Sequence, residues 1–319
     1  MKEYKRLVIK GVVFIAMVVV LDYVFGVLLN MLENKALEKS PSSMQVDYTI
    51  RKVQSDMVII GASEAAHSYV PQVLKDSLNC SVYNCGNDGK PALYQIAMVN
   101  CILDRYVPKY IIWSVSPMWL SDKNANEDIN RLSVLNPFYK DYPYCREVIQ
   151  KRSKYESIKC LSNCYAQNSN LYNYLTCIIV PKKDIFYGRY LPLFGTDEDV
   201  QIQERDLNTS FSYSNEIAEE FSKTLMRCNN QGSKVILVFT PRYEKSDYTN
   251  LKSYKKIMEI ATTYNAIMLE NFYRDPEIYQ SKYFKDFAHL NDDGAHFFTS
   301  LLAHKLKTLN LSSYTYDSK

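Results

Sequence analysis

Short apolar runs alternate along the chain with stretches of helical periodicity. Five runs rich in β-branched residues are apolar throughout, which indicates strands buried on both faces of a parallel sheet. Residues 214–230 place Ile217, Phe221 and Leu225 four positions apart and are followed by Gly232, a typical helix stop. The alternation predicts an α/β fold, a three-layer α/β/α sandwich with a central parallel five-stranded sheet. The predicted strands are 57–60, 81–84, 110–115, 234–239 and 266–269.

The N-terminus contains an apolar segment long enough to span a bilayer. Residues 11–31 contain a single acid, Asp22, and a membrane-spanning helix needs about 20 residues. Basic residues before this segment place 1–10 in the cytoplasm by the positive-inside tendency; they are Lys2, Lys5, Arg6 and Lys10. The sequence therefore predicts a single-pass transmembrane anchor in the cytoplasmic membrane, with the domain that follows it on the extracytoplasmic side. Within the membrane Asp22 requires a polar partner or a helix interface.

A cleaved signal peptide and a buried core helix can have a similar apolar composition. The length of the apolar region disfavours a signal peptide, and the basic flank disfavours a core helix. After the anchor, residues 32–51 are polar and carry Pro41 between serines, which predicts a tether. The folded domain is expected at 52–319.

Residues 120–213 fit no predicted strand and form a Tyr-rich insertion in this domain. An insertion of that length usually carries structure or function. Tyrosine offers a flat face with a polar tip, so a glycan-binding lid and an insertion packed by its own aromatic residues both stay open. Its tyrosines include Tyr139, Tyr142, Tyr144, Tyr155, Tyr165, Tyr172 and Tyr174.

Composition excludes several classes of function. A net charge of only +3 over 319 residues that are 47% hydrophobic describes an ordinary folded chain. Without a basic stripe, a P-loop or a GxGxxG fingerprint, we expect no nucleic-acid partner and no cofactor. The eight cysteines lack metal-site spacing and are interpreted mostly as buried small hydrophobic residues, although an oxidising compartment would permit disulfides. No histidine is interpreted as a metal ligand.

Two short motifs carry the candidate chemistry. Ser63 follows the first predicted strand in Gly61-Ala62-Ser63, and His289 follows Asp286 by three positions near the C-terminus. A serine hydroxyl needs a neighbouring base to become a nucleophile, and a carboxylate can fix the tautomer of that base. The motifs therefore predict Ser63 as nucleophile, His289 as general base and Asp286 as its orienting acid.

Each motif, taken singly, is also common in purely structural roles. Serine is frequent in turns after strands, and the stretch around His289 can be only the start of a helix capped by Asp292 or Asp293. Their joint occurrence, in this order around an α/β pattern, favours the catalytic interpretation.

Together the motifs resemble the SGNH or GDSL-type hydrolase superfamily over roughly residues 54–306. Gly61-Ala62-Ser63 is similar to the nucleophile block of that family, Gly86 to its second block, and Asp286-x-x-His289 to its last. The resemblance implies the flavodoxin-like SGNH fold, a Ser63-His289-Asp286 triad and an oxyanion hole that uses the N–H groups of Ser63 and Gly86. It implies no cofactor and no metal.

One block departs from the family pattern. The family supplies an asparagine to the oxyanion hole after the third strand, where this chain has Trp113-Ser114-Val115-Ser116-Pro117. Asn87, which follows the second strand, is the substitute that the sequence offers.

The resemblance to membrane-anchored members, D-alanyl-transfer-protein-like or alginate-acetylation-like, implies a function. It is a serine esterase or O-acyltransferase that acts on an acyl-ester or carbohydrate substrate of the envelope or extracellular space. The alternative is a non-catalytic SGNH-fold scaffold or binding partner of a membrane acyl-transfer system, which the missing asparagine block favours. Both keep the membrane as a partner, and a membrane acyl-transfer protein as a further expected partner.

Overall fold

The computed structural model describes residues 1–41, 43–122, 129–167, 170–181, 187–197, 200–204 and 212–309, which fall into two compact units. The helical unit comprises Met1–Tyr48 and Leu132–Lys183. The α/β unit comprises Thr49–Arg131 and Asp184–Lys319. Neither unit is continuous in sequence, because the second segment of the helical unit is inserted into the α/β unit.

A five-stranded sheet forms the centre of the α/β unit. Its strands are β1 (Met57–Ile60), β2 (Val82–Asn84), β3 (Tyr110–Val115), β5 (Lys234–Phe239) and β7 (Ile267–Leu269). All are parallel, in the order β2-β1-β3-β5-β7, and Val58 of β1 lies opposite both Tyr83 and Ile111. A separate parallel pair consists of β4 (Gln203–Glu204) and β6 (Glu244–Lys245).

Helices cover one face of the sheet at its β1 and β2 side. They are α3 (Ser63–Ser68), α4 (Pro71–Leu78) and the C-terminal α12 (Asp292–Thr308). Ile59, Ile112 and Ile236 from three neighbouring strands join Leu74 and Phe298 in one buried apolar cluster. Burial of these side chains is the main force that holds the helices to this face.

The opposite face is covered by α5 (Ala92–Leu103), α10 (Asn215–Gln231) and α11 (Lys252–Thr263). Trp113 packs edge-on against Phe221, with ring centroids 5.1 Å apart. The buried amide of Asn100 donates to the hydroxyl of Thr224 at 2.8 Å, which satisfies a polar pair between α5 and α10. With both faces covered, the strands are built mostly from apolar residues, and the polar Asn84 and Ser114 lie at or near their carboxyl ends.

The helical unit is built on α1 (Lys2–Lys39), which is long and apolar enough to cross a membrane. Against its second half pack short helices, and Ala36, Leu37, Met44, Tyr174 and Cys177 form a buried cluster there. The chain passes into the α/β unit within α2 (Gln45–Arg51). The short helices are α6 (Pro143–Gln150), α7 (Glu156–Lys159), α8 (Asn163–Gln167) and α9 (Leu171–Ile179).

The fold predicted from the sequence is confirmed. All five predicted strands are present, and β2 and β7 begin one residue later than predicted. Helices lie on both faces of an all-parallel sheet, and a long apolar helix precedes it.

The lengths of the N-terminal elements differ from the sequence interpretation. α1 extends to Lys39 rather than residue 31, and α2 covers residues 45–51, so most of the predicted tether is helical. Helix continues because its polar stretch carries buried apolar positions at Ala36 and Leu37. The role of 32–51 as a tether and the other domain boundaries stay predictions. Parts of the predicted insertion lie outside the described residues, at 123–128, 168–169, 182–186, 198–199 and 205–211.

Gly86 generates a prediction about stability. A Cβ at this position would lie 2.4 Å from the backbone nitrogen of Ala66 and 2.8 Å from Ala65 Cβ, both in α3. We expect Gly86→Ala to lower the free energy of unfolding by about 1 to 3 kcal/mol, because backbone atoms must move to admit the methyl group. Urea denaturation measures this change. Gly11→Ala is the matched control, since no atom lies within 4 Å of that Cβ. Equal stability of the two variants would contradict the prediction.

Candidate active site

The first turn of α3 presents Ser63 directly after β1. Gly61 and Ala62 connect the strand to the helix, and Ser63 is the first helical residue. Gly61 allows this close approach, because a Cβ there would lie 2.6 Å from Ala65 Cβ and 2.9 Å from Ser114 Cβ. Ser63 therefore lies at the carboxyl edge of the sheet, beside the β1–β3 pair at which the strand order reverses. Open α/β sheets bind their ligands at this point.

The loop before α12 is shaped by the carboxylate of Asp286. Its Oδ1 accepts hydrogen bonds from the backbone N–H groups of Ala288 at 2.7 Å and His289 at 2.9 Å. The N–H of Lys285 donates to the carbonyl of His289 at 2.9 Å and closes the loop. The same carboxylate thus holds the backbone that carries His289 and contacts its side chain.

Ser63, His289 and Asp286 form one chain of hydrogen bonds. His289 Nε2 lies 2.8 Å from Ser63 Oγ, and His289 Nδ1 lies 3.0 and 2.9 Å from the two carboxylate oxygens of Asp286. Since a carboxylate only accepts, Nδ1 of a neutral His289 carries the proton and Nε2 accepts from the serine hydroxyl. The three residues predicted as a triad are therefore adjacent, with side chains of His289 and Asp286 that are 24% and 37% exposed.

The environment keeps the Asp286 carboxylate ionised. Partial burial opposes its charge, but the His289 ring and the backbone N–H groups of Ala288 and His289 donate to it, and together they lower the pKa of Asp286. An ionised Asp286 can stabilise a proton on His289.

The N–H groups near Ser63 differ in their availability. Among the described residues, the backbone N–H of Ser63 has no hydrogen-bond acceptor, as is usual for the first residue of a helix. The N–H of Gly86 is buried and donates to Asn84 Oδ1 at 2.9 Å. The prediction that Gly86 donates to the oxyanion hole is therefore not supported by this arrangement, because its proton already has an acceptor.

The position of the Asn84 side chain explains why the N–H of Gly86 already has an acceptor. Its amide nitrogen donates to the carbonyls of Ala65 at 2.7 Å and Tyr69 at 3.1 Å, which ties the end of β2 to α3. The amide oxygen is thereby turned toward Gly86. Gly86 is required here because its backbone lies against α3.

Two other polar residues near Ser63, Asn87 and Ser114, also make hydrogen bonds. The backbone N–H of Asn87 donates to the carbonyl of Gly61 at 3.2 Å, while its side-chain amide makes only a long contact of 3.4 Å with the Tyr94 hydroxyl. At the end of β3, the buried hydroxyl of Ser114 pairs with that of Thr240 at 2.7 Å. Of these groups, the Asn87 side chain is the least constrained.

A second histidine–aspartate pair lies beside the first. His67, on α3, packs edge-on against His289 with ring centroids 5.7 Å apart. Its Nδ1 lies 2.6 Å from the carbonyl of Leu191, and its Nε2 lies 3.1 Å from Asp88 Oδ1. A carbonyl and a carboxylate can only accept, so both ring nitrogens must donate and His67 is an imidazolium. Burial opposes this charge, but the bonds to Asp88 and Leu191 outweigh it and raise the pKa of His67.

A half-buried arginine connects the segments that carry the serine and the histidine. Arg242 Nη1 donates to Glu64 Oε1 at 2.6 Å, next to Ser63 in sequence. Its guanidinium also lies 5.7 Å from the ring centroid of Phe287, within the Asp286–His289 loop. The Glu244 carboxylate lies 3.4 Å from its Nε. Arg242 thus fixes the start of α3 relative to the loop of His289.

The remaining candidates lie away from this chemistry. His296 and His304 are exposed on α12, as expected from the sequence, and the cap of that helix is Asn291 rather than Asp292 or Asp293. Six of the eight cysteines are buried. Within the described ranges, no group of three or more His, Cys, Asp or Glu residues could hold a metal ion.

Comparisons with known proteins find similarity in structure but none in sequence. No protein-family profile and no curated protein matches the chain. Among solved structures, the chain is similar to the crystal structure of the lipase/acylhydrolase from Enterococcus faecalis, with 11% sequence identity and a TM-score of 0.39. The alignment covers 79% of this chain and 95% of that one.

Two residues of this region, Asp88 beside His67 and Arg242 beside Glu64, were not expected from the sequence. Both follow the carboxyl ends of strands, Asp88 after β2 and Arg242 after β5. Both residues thus lie at the edge where open α/β sheets bind their ligands, and this position is the signal that the sequence carries for them. Their partners could not be read from spacing, because Arg242 and Glu64 are 178 positions apart.

The His67 pair generates a prediction about pH. The folded-state pKa of His67 is raised above the ordinary 6.5, so its stabilising effect is full below that value and is lost as pH rises through the folded pKa. We expect His67→Gln to cost about 1 kcal/mol at low pH, since Asp88 is partly exposed and water screens the pair. The cost is expected to shrink toward alkaline pH. Urea denaturation of both proteins between about pH 5 and pH 9 measures it.

The exposed His304 gives the control for this series, because His304→Gln removes a histidine of the same unit without such acceptors. A cost of His67→Gln that did not change between about pH 5 and pH 9 would contradict the predicted titration of His67 in this range.

Proposed function

We propose that this chain is a membrane-anchored, SGNH-like serine esterase or O-acyltransferase that acts on envelope or extracellular carbohydrate. The observation that carries the proposal is the hydrogen-bonded chain from Ser63 through His289 to Asp286. It lies at the carboxyl edge of a parallel sheet, and its members are partly exposed, as a site that admits substrate requires.

The proposed reaction begins with attack on an acyl ester. Ser63 Oγ bonds to the acyl carbonyl carbon while its proton moves to His289 Nε2, and the carbonyl π bond becomes an oxyanion. The imidazolium then gives this proton to the departing alcohol oxygen as the ester C–O bond breaks, which leaves an acyl-Ser63. Asp286 stabilises the charge on His289 during both steps.

The oxyanion needs preorganised donors. The Ser63 N–H is available at the helix N-terminus, where the helix dipole also favours negative charge. The Asn87 side-chain amide supplies a second donor in the proposed site, in place of the asparagine that the family carries after the third strand. Gly86 is left out, because its N–H already bonds to Asn84.

The acyl-enzyme is resolved by an oxygen nucleophile. If water attacks, the product is a carboxylic acid and the enzyme is an esterase; if a sugar hydroxyl attacks, the acyl group is transferred. In either case His289 takes the proton of the attacking oxygen and passes it to Ser63 Oγ as the bond between the acyl carbon and Ser63 breaks. The two outcomes differ in how well the site excludes water and binds an acceptor.

The anchor supports the proposed location. α1 has the length and composition of a membrane-spanning helix, with basic residues before its apolar segment. The proposed protein is a single-pass protein of the cytoplasmic membrane, with its N-terminus inside and its α/β unit outside. Carbohydrate of the envelope is the substrate class within reach of such a domain.

A non-catalytic scaffold of a membrane acyl-transfer system is the second candidate. It is favoured by the engaged N–H of Gly86 and by the absence of an asparagine from the sequence directly after β3. A scaffold keeps the fold and the anchor but does not react at Ser63, which separates it from the first candidate by experiment.

The first test is covalent labelling of the full chain in detergent by a fluorophosphonate probe. We expect wild-type protein to react, Ser63→Ala to lose labelling completely, and His289→Ala to label more slowly by about 10² to 10⁴-fold, since the general base is gone. His296→Ala, on an exposed part of α12, controls for histidine loss. A folded wild-type protein that fails to label would overturn the catalytic proposal and favour the scaffold.

The second test concerns the oxyanion donor. We expect Asn87→Ala to lower kcat for a small acyl ester by about 10² to 10³-fold with little change in KM, because the lost donor acts only on the transition state. Tyr94→Phe is the matched control, since it removes the hydroxyl that contacts this amide but leaves the amide in place. Unchanged kcat in Asn87→Ala would assign the oxyanion to other donors.

A further inference from the structure

The acid within the apolar segment of α1 is fully engaged by the start of α8. Asp22 Oδ1 accepts from Ser162 Oγ at 2.6 Å and from the N–H of Cys164 at 3.0 Å. Its Oδ2 accepts from the backbone N–H of Asn163 at 2.8 Å and from the side-chain amide of the same residue at 3.1 Å. This cluster satisfies a charge that would otherwise be costly inside a membrane.

Further contacts continue along the same side of α1. A Cβ on Gly26 would lie 2.7 Å from Asn163 Cβ, so glycine is needed for α8 to approach. About two turns after Gly26, Glu33 accepts from the Gln167 amide at 3.1 Å, and Gln167 in turn accepts from the Tyr174 hydroxyl at 2.5 Å. From Asp22 onward, one side of α1 is therefore covered by α8 and α9.

The other sides of α1 remain apolar and exposed over the same length. Tyr23, Phe25, Leu28 and Met31 are between 49% and 67% exposed. Such a continuous apolar surface is stable only when lipid or protein covers it.

The length of the apolar part of α1 before Asp22 places the segment of α1 that carries α8 within the bilayer. Residues 11–21 are the apolar part of α1 that precedes Asp22, and eleven helical residues extend only about 16 Å. A bilayer's hydrocarbon core is about 30 Å thick, so the remaining distance must be crossed by the part of α1 that carries α8.

The inserted helices have the composition that this location demands. Residues 161–180 contain no charged residue, in a chain that is 23% charged. Large apolar side chains of this stretch are exposed, Leu161 at 69%, Tyr172 at 82% and Ile179 at 74%. Just before them, Glu156 is buried and neutralised by Arg152 at 3.3 Å and Lys159 at 3.0 Å.

We propose that residues 161–167 and 170–180 lie in the outer leaflet of a phospholipid bilayer alongside α1, so that this part of the helical unit is embedded in the membrane. The inference rests on the proposed anchoring of α1 and extends it to a second segment of the chain. Lipid is the occupant because the exposed apolar surface of this segment continues that of α1.

Tryptophan fluorescence of the full-length protein in phospholipid vesicles tests this placement. The native Trp113 and Trp119 are only 0% and 8% exposed, so wild-type protein gives a shielded baseline. Leu161→Trp probes the segment, Tyr172→Trp probes it independently in case the first variant does not fold, and Val18→Trp probes the anchor. Each is measured with brominated phosphatidylcholine, which quenches from the lipid, and with acrylamide, which quenches from water.

We expect Leu161→Trp and Tyr172→Trp to be quenched by the brominated lipid at least half as strongly as Val18→Trp, and to gain little quenching from acrylamide. Quenching of both by acrylamide alone, with Val18→Trp still quenched by lipid, would place the segment in water and overturn the inference while the anchor stands. Protection from both quenchers would overturn it in favour of a protein partner or a second copy. If Val18→Trp is not quenched by lipid, the anchor itself fails. Fluorophosphonate labelling of Ser63 reports on the proposed reaction separately from all of these outcomes.

Discussion

The close packing of α3 against two glycines is the constraint on which the candidate site depends. Gly61 lies close against Ala65 of α3 and against Ser114 of β3, and Gly86 brings the loop after β2 against the backbone of the same helix. Any side chain at either position would displace α3, and Ser63 is its first residue. The two close approaches therefore determine where Ser63 lies. Its hydrogen bond to His289 can form only because glycine is present at both positions.

Polar side chains then hold the pieces that meet around α3. Asn84 connects the end of β2 to the carbonyls of α3, His67 connects α3 to Asp88 and to the backbone of Leu191, and Arg242 connects Glu64 to the loop of His289. Each of these three residues is largely buried, and each makes polar contacts through more than one atom. Loss of one would leave partners unsatisfied in a region of low dielectric, so the surroundings of the site are as tightly specified as the three residues themselves.

Much of the fold could be predicted from the sequence, because strands buried on both faces need continuous apolar runs and the five runs are short and well separated. The three residues of the candidate triad could also be predicted, because parallel strands bring their carboxyl ends to one edge. The end of α1 could not be predicted from the sequence. A polar helix that is covered on one side has the composition of a flexible tether, and the helices that cover it are distant in sequence. The packing of Gly86 was hidden for a related reason: its neighbours in space, Ala65 and Ala66, are about 20 residues away in sequence and leave no signal in spacing. Asp88 and Arg242 were missed because a pair of opposite charges carries no pattern until both positions are placed in three dimensions.

The distance in sequence between Ser63 and His289 has a consequence for the newly made chain. The two residues are 226 positions apart, and the insertion that forms part of the helical unit lies between them. During synthesis the serine is made long before its histidine, so until then it has no base to activate it. The hydrogen bond can form only after the segment that carries His289 has been made and has packed beside Ser63. In the proposed enzyme, completion of the fold would therefore act as the switch that turns the serine on, and a chain interrupted anywhere before its C-terminal helix would reach the membrane as an inert protein.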